Sequence, residues 1–388
     1  MSERVLHMIG NAHIDPVWLW QWPEGYQEVR ATFQSAIDRM EEYPDFVFTC
    51  DSVVYLQWIE ESDPELFARI RARIADGRFQ VIGGWWVEPD CNIPAGESYV
   101  RQALYGQRYL HDRFGITSTT GSNVDPFGHN AMLPQILRKS GLDSYVFLRP
   151  GPNELALPGQ HFWWESPDGS RVLAYRIPHE YCTPRGDIDE HIEKALGELP
   201  ADGPAFMVFY GVGNHGGGPT KANIESIKRL NETTNGAPRL EFSSPRAFFD
   251  TVVKEDNIPV HADEMLHHAV GCYSAHSGVK RWNRRAENLL QRAEKWAAVA
   301  DVLGGASYPL DDLTEAWKLV LFNQFHDTLA GTSIAPAYED SRDQYGHACS
   351  LAANAFNRAV QTISRQIEIP AEPELRPLVV FNPHPWPL

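Results

Sequence analysis

Three short segments of the chain place an imidazole beside a carboxylate, and each carries a mark of where an element ends. The first is His13-Ile14-Asp15-Pro16. In an extended chain residues two apart point to one face, so His13 and Asp15 project together. Pro16 cannot donate to a ladder and marks the strand's end. Such a pair at the carboxyl end of a sheet makes half of a divalent-metal site, where sheets of this kind bind ligands. Taken alone, it is more often a His and an Asp that merely hydrogen-bond each other at a strand end. A second Asp-Pro lies in GSNVDPFGHN, where Asp125 closes another strand context and is followed by Phe127 and His129. The third segment is LFNQFHDTLAGTS, with His326 and Asp327 expected at the end of a helix stopped by Gly331. An adjacent His-Asp in so apolar a run is costly to bury unless it is coordinated or hydrogen-bonded. Two His and two Asp would give zinc four N/O ligands without thiolates, the pattern of catalytic rather than structural zinc.

The elements that must position these residues change character along the chain. Up to about residue 260, apolar runs such as VLHMIG, FVFTC, FQVIGGWW, SYVFL, VLAYRI and AFMVFYGVG alternate with helical segments. That alternation predicts a mostly parallel sheet covered on both faces, either a barrel or an open doubly wound sheet. Beyond residue 260 long helices take over. Leu289, Ala293, Trp296, Ala300 and Leu303 recur at helical spacing and predict one apolar face. Asp312 and Glu315 mark a second helix start ahead of Trp317, Val320 and Leu321, and a third helix is expected over about 337–367. Three helices with short links predict a small bundle. The tail, IPAEPELRPLVVFNPHPWPL, reads as a Pro-rich linker and then the first strand of a further domain.

Composition narrows the ligand. The 388 residues carry 34 Lys+Arg against 51 Asp+Glu, a net charge of −17, which opposes a broad nucleic-acid or anionic-membrane surface. A length of this order accommodates about two or three domains with a real core. Five scattered cysteines form no CxxC pair, so neither a disulfide framework nor a thiolate zinc site is expected. No run approaches the ~20 apolar residues of a membrane span, and the start shows no basic region followed by an apolar one. A cytoplasmic chain in a reducing compartment is the expectation.

HIDPVW, GGWWVEPDCNIPAGES, VDPFGHN, GVGNHGGGPT, GCYSAHSGVKRWNRRAE and FNQFHDTLAGTS resemble, in that order, the motifs of the family 38 glycoside hydrolases, the α-mannosidases. The match looks closest to the bacterial and cytosolic branch and covers essentially the whole chain. The resemblance implies a distorted parallel β/α barrel over residues 1–260, a three-helix bundle over 261–370, and a linker into a β-rich domain from 371 to 388. It implies one zinc ion, or a divalent metal such as cobalt, held by His13, Asp15, Asp125 and His326. Asp125 matches the family's nucleophile, and Trp18 and Phe127 its pocket aromatics. Asp327 matches a carboxylate that holds sugar hydroxyls, and Arg149 an arginine beside the nucleophile. The substrate implied is a mannosylated oligosaccharide or glycoside, cleaved with retention. Association with a separate C-terminal β-domain polypeptide, or with a second copy, is a further expectation.

The proton donor departs from the pattern. Family members place an aspartate near the segment that reads GVGNHGGG here, which carries Asn214 and His215 instead. An amide cannot act as the acid, whereas His215 can, and Asp90 or Asp187 are the other carboxylates considered. Gly211, Gly213 and Gly216 spell a dinucleotide-like GxGxxG, yet the following helix signal begins only after Pro219. The basic run from Lys280 to Arg285 reads as a solvated helix start or as ion pairs. His267 and His268 read as packing residues, and Trp85 and Trp86 fit the core or a sugar face equally. Two other functions fit the same residues: a metal-dependent carbohydrate deacetylase, and an inactive, truncated carbohydrate-binding chain.

Overall fold

The structure is a computed structural model that describes residues 4–200, 205–233, 238–370, 372–374 and 376–387. The amino-terminal part runs β1 (Val5–Asn11), α1 (Trp22–Glu42), β2 (Phe48–Ser52), α2 (Val53–Ser62), α3 (Pro64–Ala75) and β3 (Phe79–Trp85). It continues with α4 (Gly96–Phe114), β4 (Thr120–Asn123), α5 (Leu133–Lys139), β5 (Ser144–Phe147), β6 (His161–Glu165) and β7 (Arg171–Arg176). Then follow α6 (Asp189–Glu198), β8 (Ala205–Tyr210), α7 (Lys221–Thr233), β9 (Arg239–Phe242), α8 (Pro245–Val252) and β10 (Val260–His261).

The strands form two five-stranded sheets. In one, β3, β2, β1 and β8 pair in parallel, and β9 joins β1 along Val5–Met8, just before β2 joins it at Gly10 and Asn11. In the other, β4, β5 and β7 are parallel, β6 returns antiparallel on β7, and β10 closes the far edge. No ladder joins the sheets among the described residues, but side chains lace both seams. Trp85 Nε1 at the end of β3 donates to Asn123 Oδ1 at the end of β4, 2.9 Å away. Across the other seam the Tyr175 hydroxyl of β7 donates to Met207 O and accepts from Met207 N of β8, at 2.8 and 2.9 Å. The parallel strands therefore follow one another in a barrel-like arrangement of two open sheets, with their carboxyl ends on one side. β6 and β9 were not legible as separate strands: β6 is short and half-buried by alternation, and β9 has four residues.

The second part holds α9 (Ser277–Val302), α10 (Leu310–Phe322), α11 (His326–Ala330) and α12 (Ala335–Ser364). α9 and α12 pack through small residues, Ala286, Ala293, Ala297 and Ala300 against Ala348, Ala352, Ala355 and Ala359, which let the backbones approach closely. That choice turns α9 one position from the expected face: Leu290 is buried, while Leu303 is exposed and Leu289 and Trp296 are half-buried.

One further expectation is corrected. α10 ends at Phe322, and His326 opens a separate one-turn helix instead of closing a long one. The break lets Gln324 O accept from Asp90 N at 2.8 Å, which ties the bundle to the loop after β3. Gly331, in the left-handed conformation at φ 92°, does stop the helix as expected. Among the described residues the tail run Leu378–Val380 makes no ladder, and Leu378 and Val380 are exposed.

Candidate active site

Every side chain singled out in the three His/Asp segments lies at the carboxyl end of a parallel strand or on α11, which faces that end. His13 and Asp15 follow β1, Asp125 follows β4, and Arg149 follows β5. The break before α11 brings His326 across from the bundle. One ligand atom from each of His13, Asp15, Asp125 and His326 lies within 4.8 Å of all the others. His13 Nε2 is 2.9 Å from Asp15 Oδ1, and His326 Nε2 is 3.1 Å from Asp125 Oδ2. His13, Asp15 and His326 are fully buried, whereas Asp125 keeps 9% of its surface and is the member reached from outside.

Behind the imidazoles sits a residue the sequence did not single out. Glu88 Oε2 lies 3.3 Å from His13 Nδ1 and 3.4 Å from His326 Nδ1. Its other oxygen accepts from the backbone N–H groups of Val124 and Asp125. A carboxylate on both Nδ1 atoms turns both Nε2 atoms toward Asp15 and Asp125, the outer support that imidazole ligands ordinarily have. Asp51 Oδ2 adds a contact to His13 Nδ1 at 3.8 Å. The signal was present: a glutamate inside the apolar run GGWWVEP is expensive to bury without a task.

Asp125 is held from two sides. Oδ2 faces the imidazoles, while Oδ1 accepts from Arg149 Nε at 2.9 Å and from the Tyr181 hydroxyl at 2.7 Å. Tyr181, in the loop after β7, gave no sequence signal at all. Phe127 meets His326 edge-on with ring centres 6.2 Å apart, and Trp18 lies against Trp20 in the same way at 5.8 Å. Asp327 is buried beside His326, 3.8 Å from its Nε2, and accepts from the Thr332 hydroxyl.

Other candidates take different places. Asp90 is fully buried and its Oδ1 accepts from the N–H groups of Asn92 and Ile93, so its observed bonds shape the loop after β3. Asp187 lies exposed ahead of α6. Asn214 takes φ 64°, which asparagine tolerates, and its Oδ1 stands 3.5 Å from the Tyr181 hydroxyl. His215 turns outward: its ring stacks on Trp20 at 4.3 Å, and Nε2 is 2.9 Å from Glu24 Oε1. The glycines of this loop serve close packing, Gly211 against β1 and Gly213 against the loop after β7. A Cβ on Gly211 would meet Asn11 O at 2.0 Å, and one on Gly213 would meet Cys182 Sγ at 2.2 Å. Trp85 and Trp86 are core residues. In the basic run, Lys280 Nζ donates to Ala275 O, Leu329 O and Ala330 O, capping the helix that begins with His326. Arg284 donates to Glu287 Oε2 and Ile93 O.

The electrostatics favour positive charge at the centre. Burial alone would lower the pKa of His13, but Glu88 and Asp15 overrule it and hold the imidazole well above its ordinary value. Burial likewise opposes protonation of His326, yet Asp125 and Glu88 raise it to about 9. Burial pushes Glu88 up to about 7 against the pull of the two imidazoles. Asp125 goes the other way: burial opposes its charge, but His326, His13 and Arg149 hold the carboxyl well below the usual range. Asp327 is raised to about 6 by burial. Close approach does not mean satisfied bonding here. Both ring nitrogens of His13, His326 Nδ1, Asp15 Oδ1 and Glu88 Oε2 are buried without a hydrogen-bond partner of good geometry. Native interiors leave few such atoms: His13 Nε2 and Asp15 Oδ1 face the four-residue cluster and fit a shared cation, while the two Nδ1 atoms and Glu88 Oε2 face one another behind it. The donor set, two imidazoles and two carboxylates, suits zinc or a similar divalent ion.

Matches to known families agree with this arrangement. The chain belongs to glycosyl hydrolase family 38: the model of that family's N-terminal domain matches residues 3–274, and the alpha-mannosidase middle-domain model matches residues 267–363. Among curated relatives it is 32% identical to human alpha-mannosidase 2C1 over 99% of its own length and 37% of that protein's. It is 35% identical to alpha-mannosidase G of Dictyostelium discoideum, over 87% of its own length and 31% of the relative's. Among solved structures, an alpha-mannosidase from Enterococcus faecalis V583 superposes with a TM-score of 0.82 at 20% identity. That superposition covers 94% of this chain and 43% of the other, and it shows a shared fold. The chain thus spans about a third of the length of these curated relatives. Among the described residues no helix is long and apolar enough to cross a membrane.

Proposed function

We propose that this chain carries the catalytic and helical parts of a zinc-dependent, retaining α-mannosidase acting on terminal α-linked mannose in the cytoplasm. The observation that supports it most is the convergence of His13, Asp15, Asp125 and His326 within one ion's reach, with Asp125 alone open to solvent. Residues 1–260 form the catalytic unit in this reading, and residues 261–370 the bundle that contributes His326. The 371–388 segment leads toward a β-rich domain. The four residues hold one zinc ion, with cobalt an acceptable substitute. When bound, the ion supplies a Lewis-acidic anchor for neighbouring sugar hydroxyls.

The chain's own residues then do the following. Asp125 attacks the anomeric carbon and forms the glycosyl-enzyme bond, as the first carboxylate of a retaining glycosidase must. Arg149 and Tyr181, both on Oδ1, keep that carboxylate ionised and aimed. Phe127 and Trp18 border the sugar, and Asp327 accepts from its hydroxyls. His215 is the group that can donate the proton to the leaving oxygen and later take one from water, since Asn214 has no acidic proton, but from its outward position against Glu24 and Trp20 it must first turn toward Asp125. Asn214 remains beside Tyr181 as a polar wall. Asp90 supports the loop beneath the sugar.

Hydrolysis of a nitrophenyl α-mannoside, with the product's anomer followed by NMR, tests this reading. The expected result is nitrophenol release with α-mannose as the first product and loss of rate on chelation. Acetate release from an acetylated sugar with no nitrophenol would replace it with deacetylation.

A further inference from the structure

Where the bundle meets the barrel, a cleft of about 470 Å³ opens between α2 and α10, away from the His/Asp cluster but built on the same elements. Its walls include Trp22, Trp58 and Trp86, with Gln57, Glu61 and Asp311 among the polar groups. Trp22 opens α1, seven residues beyond Asp15, and Trp86 stands two residues before Glu88. Phe322, at the end of α10, also lines the cleft and precedes His326 by four residues. None of these wall groups has a part in the chemistry above.

Their chemistry selects a ligand. Trp22 is 40% exposed, an unusual cost for an indole, and its ring lies 6.3 Å from that of Trp58 at an interplanar angle of 45°. Two indoles set at an angle give flat apolar platforms for the C–H faces of pyranose rings. Gln57 is already bonded at both ends, to Lys318 and Glu61, so the remaining oxygens of Glu61 and Asp311 are the acceptors left for hydroxyls. Lys318 is already engaged, with Nζ 4.5 Å from the Trp86 ring centre and 2.8 Å from Gln57 Oε1, so it offers no free charge for an anion. Glu61, Asp311 and Glu315 repel acidic ligands. The volume lies within the roughly 300–1,000 Å³ of ordinary small-ligand sites. The geometry points to this cleft as a second saccharide site, which binds a neutral oligosaccharide by stacking on Trp22 and Trp58. That the sugar is a mannoside rests on the proposed function; that it is a neutral saccharide rests on the cleft.

The test uses 5-fluorotryptophan-labelled full chain titrated with mannotriose and read by fluorine NMR, with Trp22→Tyr and Trp58→Phe assigning the two resonances. Nitrophenyl α-mannoside hydrolysis is measured on the same samples. The expected result is saturable movement of the Trp22 and Trp58 signals. Trp22→Ala should weaken mannotriose binding at least fivefold, Trp22→Tyr should retain most of it, and nitrophenyl mannoside turnover should be unchanged in both. If mannotriose at saturation moves neither signal while hydrolysis is intact, the cleft proposal is overturned and the mannosidase reading stands. If both signals move but no mannoside is cleaved, the cleft stands and the mannosidase reading falls. Movement with an arginine-rich peptide but not with mannotriose would also overturn the saccharide assignment.

Discussion

Two buried polar clusters lie near each other in this molecule, and they are built in opposite ways. At the junction of barrel and bundle, Glu287 is fully buried and every oxygen is used. Oε1 accepts from Ala95 N, Ser98 Oγ and Gln324 Nε2, and Oε2 accepts from Arg284. Gln102 beside it accepts from Val87 N and donates to Leu321 O, and only Asn283 Nδ2 is left without a partner there. At the carboxyl ends of the strands, five buried atoms lack good partners: His13 Nε2 and Asp15 Oδ1 facing the cluster, and both Nδ1 atoms with Glu88 Oε2 behind it. A buried polar group that finds its own partners holds a structure together; one that is held close but unsatisfied is waiting for a ligand. The first cluster therefore belongs to stability and the second, in the proposed function, to chemistry.

Substitutions can break that contrast. The largest expected effect is at Asp125: alanine there removes the proposed nucleophile and one face of the cation site together. Nitrophenyl α-mannoside turnover should fall by a factor on the order of 10⁴ or more, with the circular dichroism spectrum preserved. Equal turnover in wild type and Asp125→Ala would separate the cluster from catalysis. Next come the paired glutamates. Glu88→Gln should lower zinc affinity by roughly 10–100-fold, measured by competition with a chromophoric chelator, with little change in thermal stability of the metal-free chain. Glu287→Ala should do the reverse, leaving metal affinity intact and costing about 2–4 kcal/mol through the orphaned donors Ala95 N, Ser98 Oγ and Gln324 Nε2. If the two variants behave alike, the contrast drawn from hydrogen-bond satisfaction is wrong.

How much of this contrast could be read from the sequence depended on whether a residue's neighbours in the chain were also its neighbours in space. His13 and Asp15 sit two apart on a strand end, and Asp125 and His326 stand in strong local contexts, so all four were legible. Glu88 was visible only as a charge in an apolar run, and Tyr181 not at all, because its partner Asp125 lies 56 residues earlier. The strand–helix alternation gave the parallel sheet. It could not show that the two seams are laced by Trp85 and Tyr175, since those bonds depend on tertiary placement. The start of α11 was misplaced because the apolar pattern continues through Asn323–Phe325, where the backbone breaks to bond the loop after β3.

Two smaller effects sharpen the comparison. Unlike the site imidazoles, His129 and His191 are buried against backbone carbonyls, and burial lowers each to about 4. Groups depressed on folding contribute stability above their unfolded value near 6.5 and lose it as pH falls toward 4. Each should cost up to about 3 kcal/mol over that window, read as the fall in urea midpoint between pH 7 and pH 4.5. His129→Gln with His191→Gln should flatten the slope. Lys280→Met, which uncaps the last carbonyls of α11, should lower stability by about 1 kcal/mol and loosen metal retention severalfold through His326.

The central claim is that one divalent cation joins His13, Asp15, Asp125 and His326. Metal content by mass spectrometry, after dialysis against zinc and then metal-free buffer, addresses it directly in wild type and His326→Ala. The account expects about one zinc per wild-type chain and well under half of that in the variant. A wild-type chain that keeps no metal, or a variant that keeps as much as wild type, would contradict it.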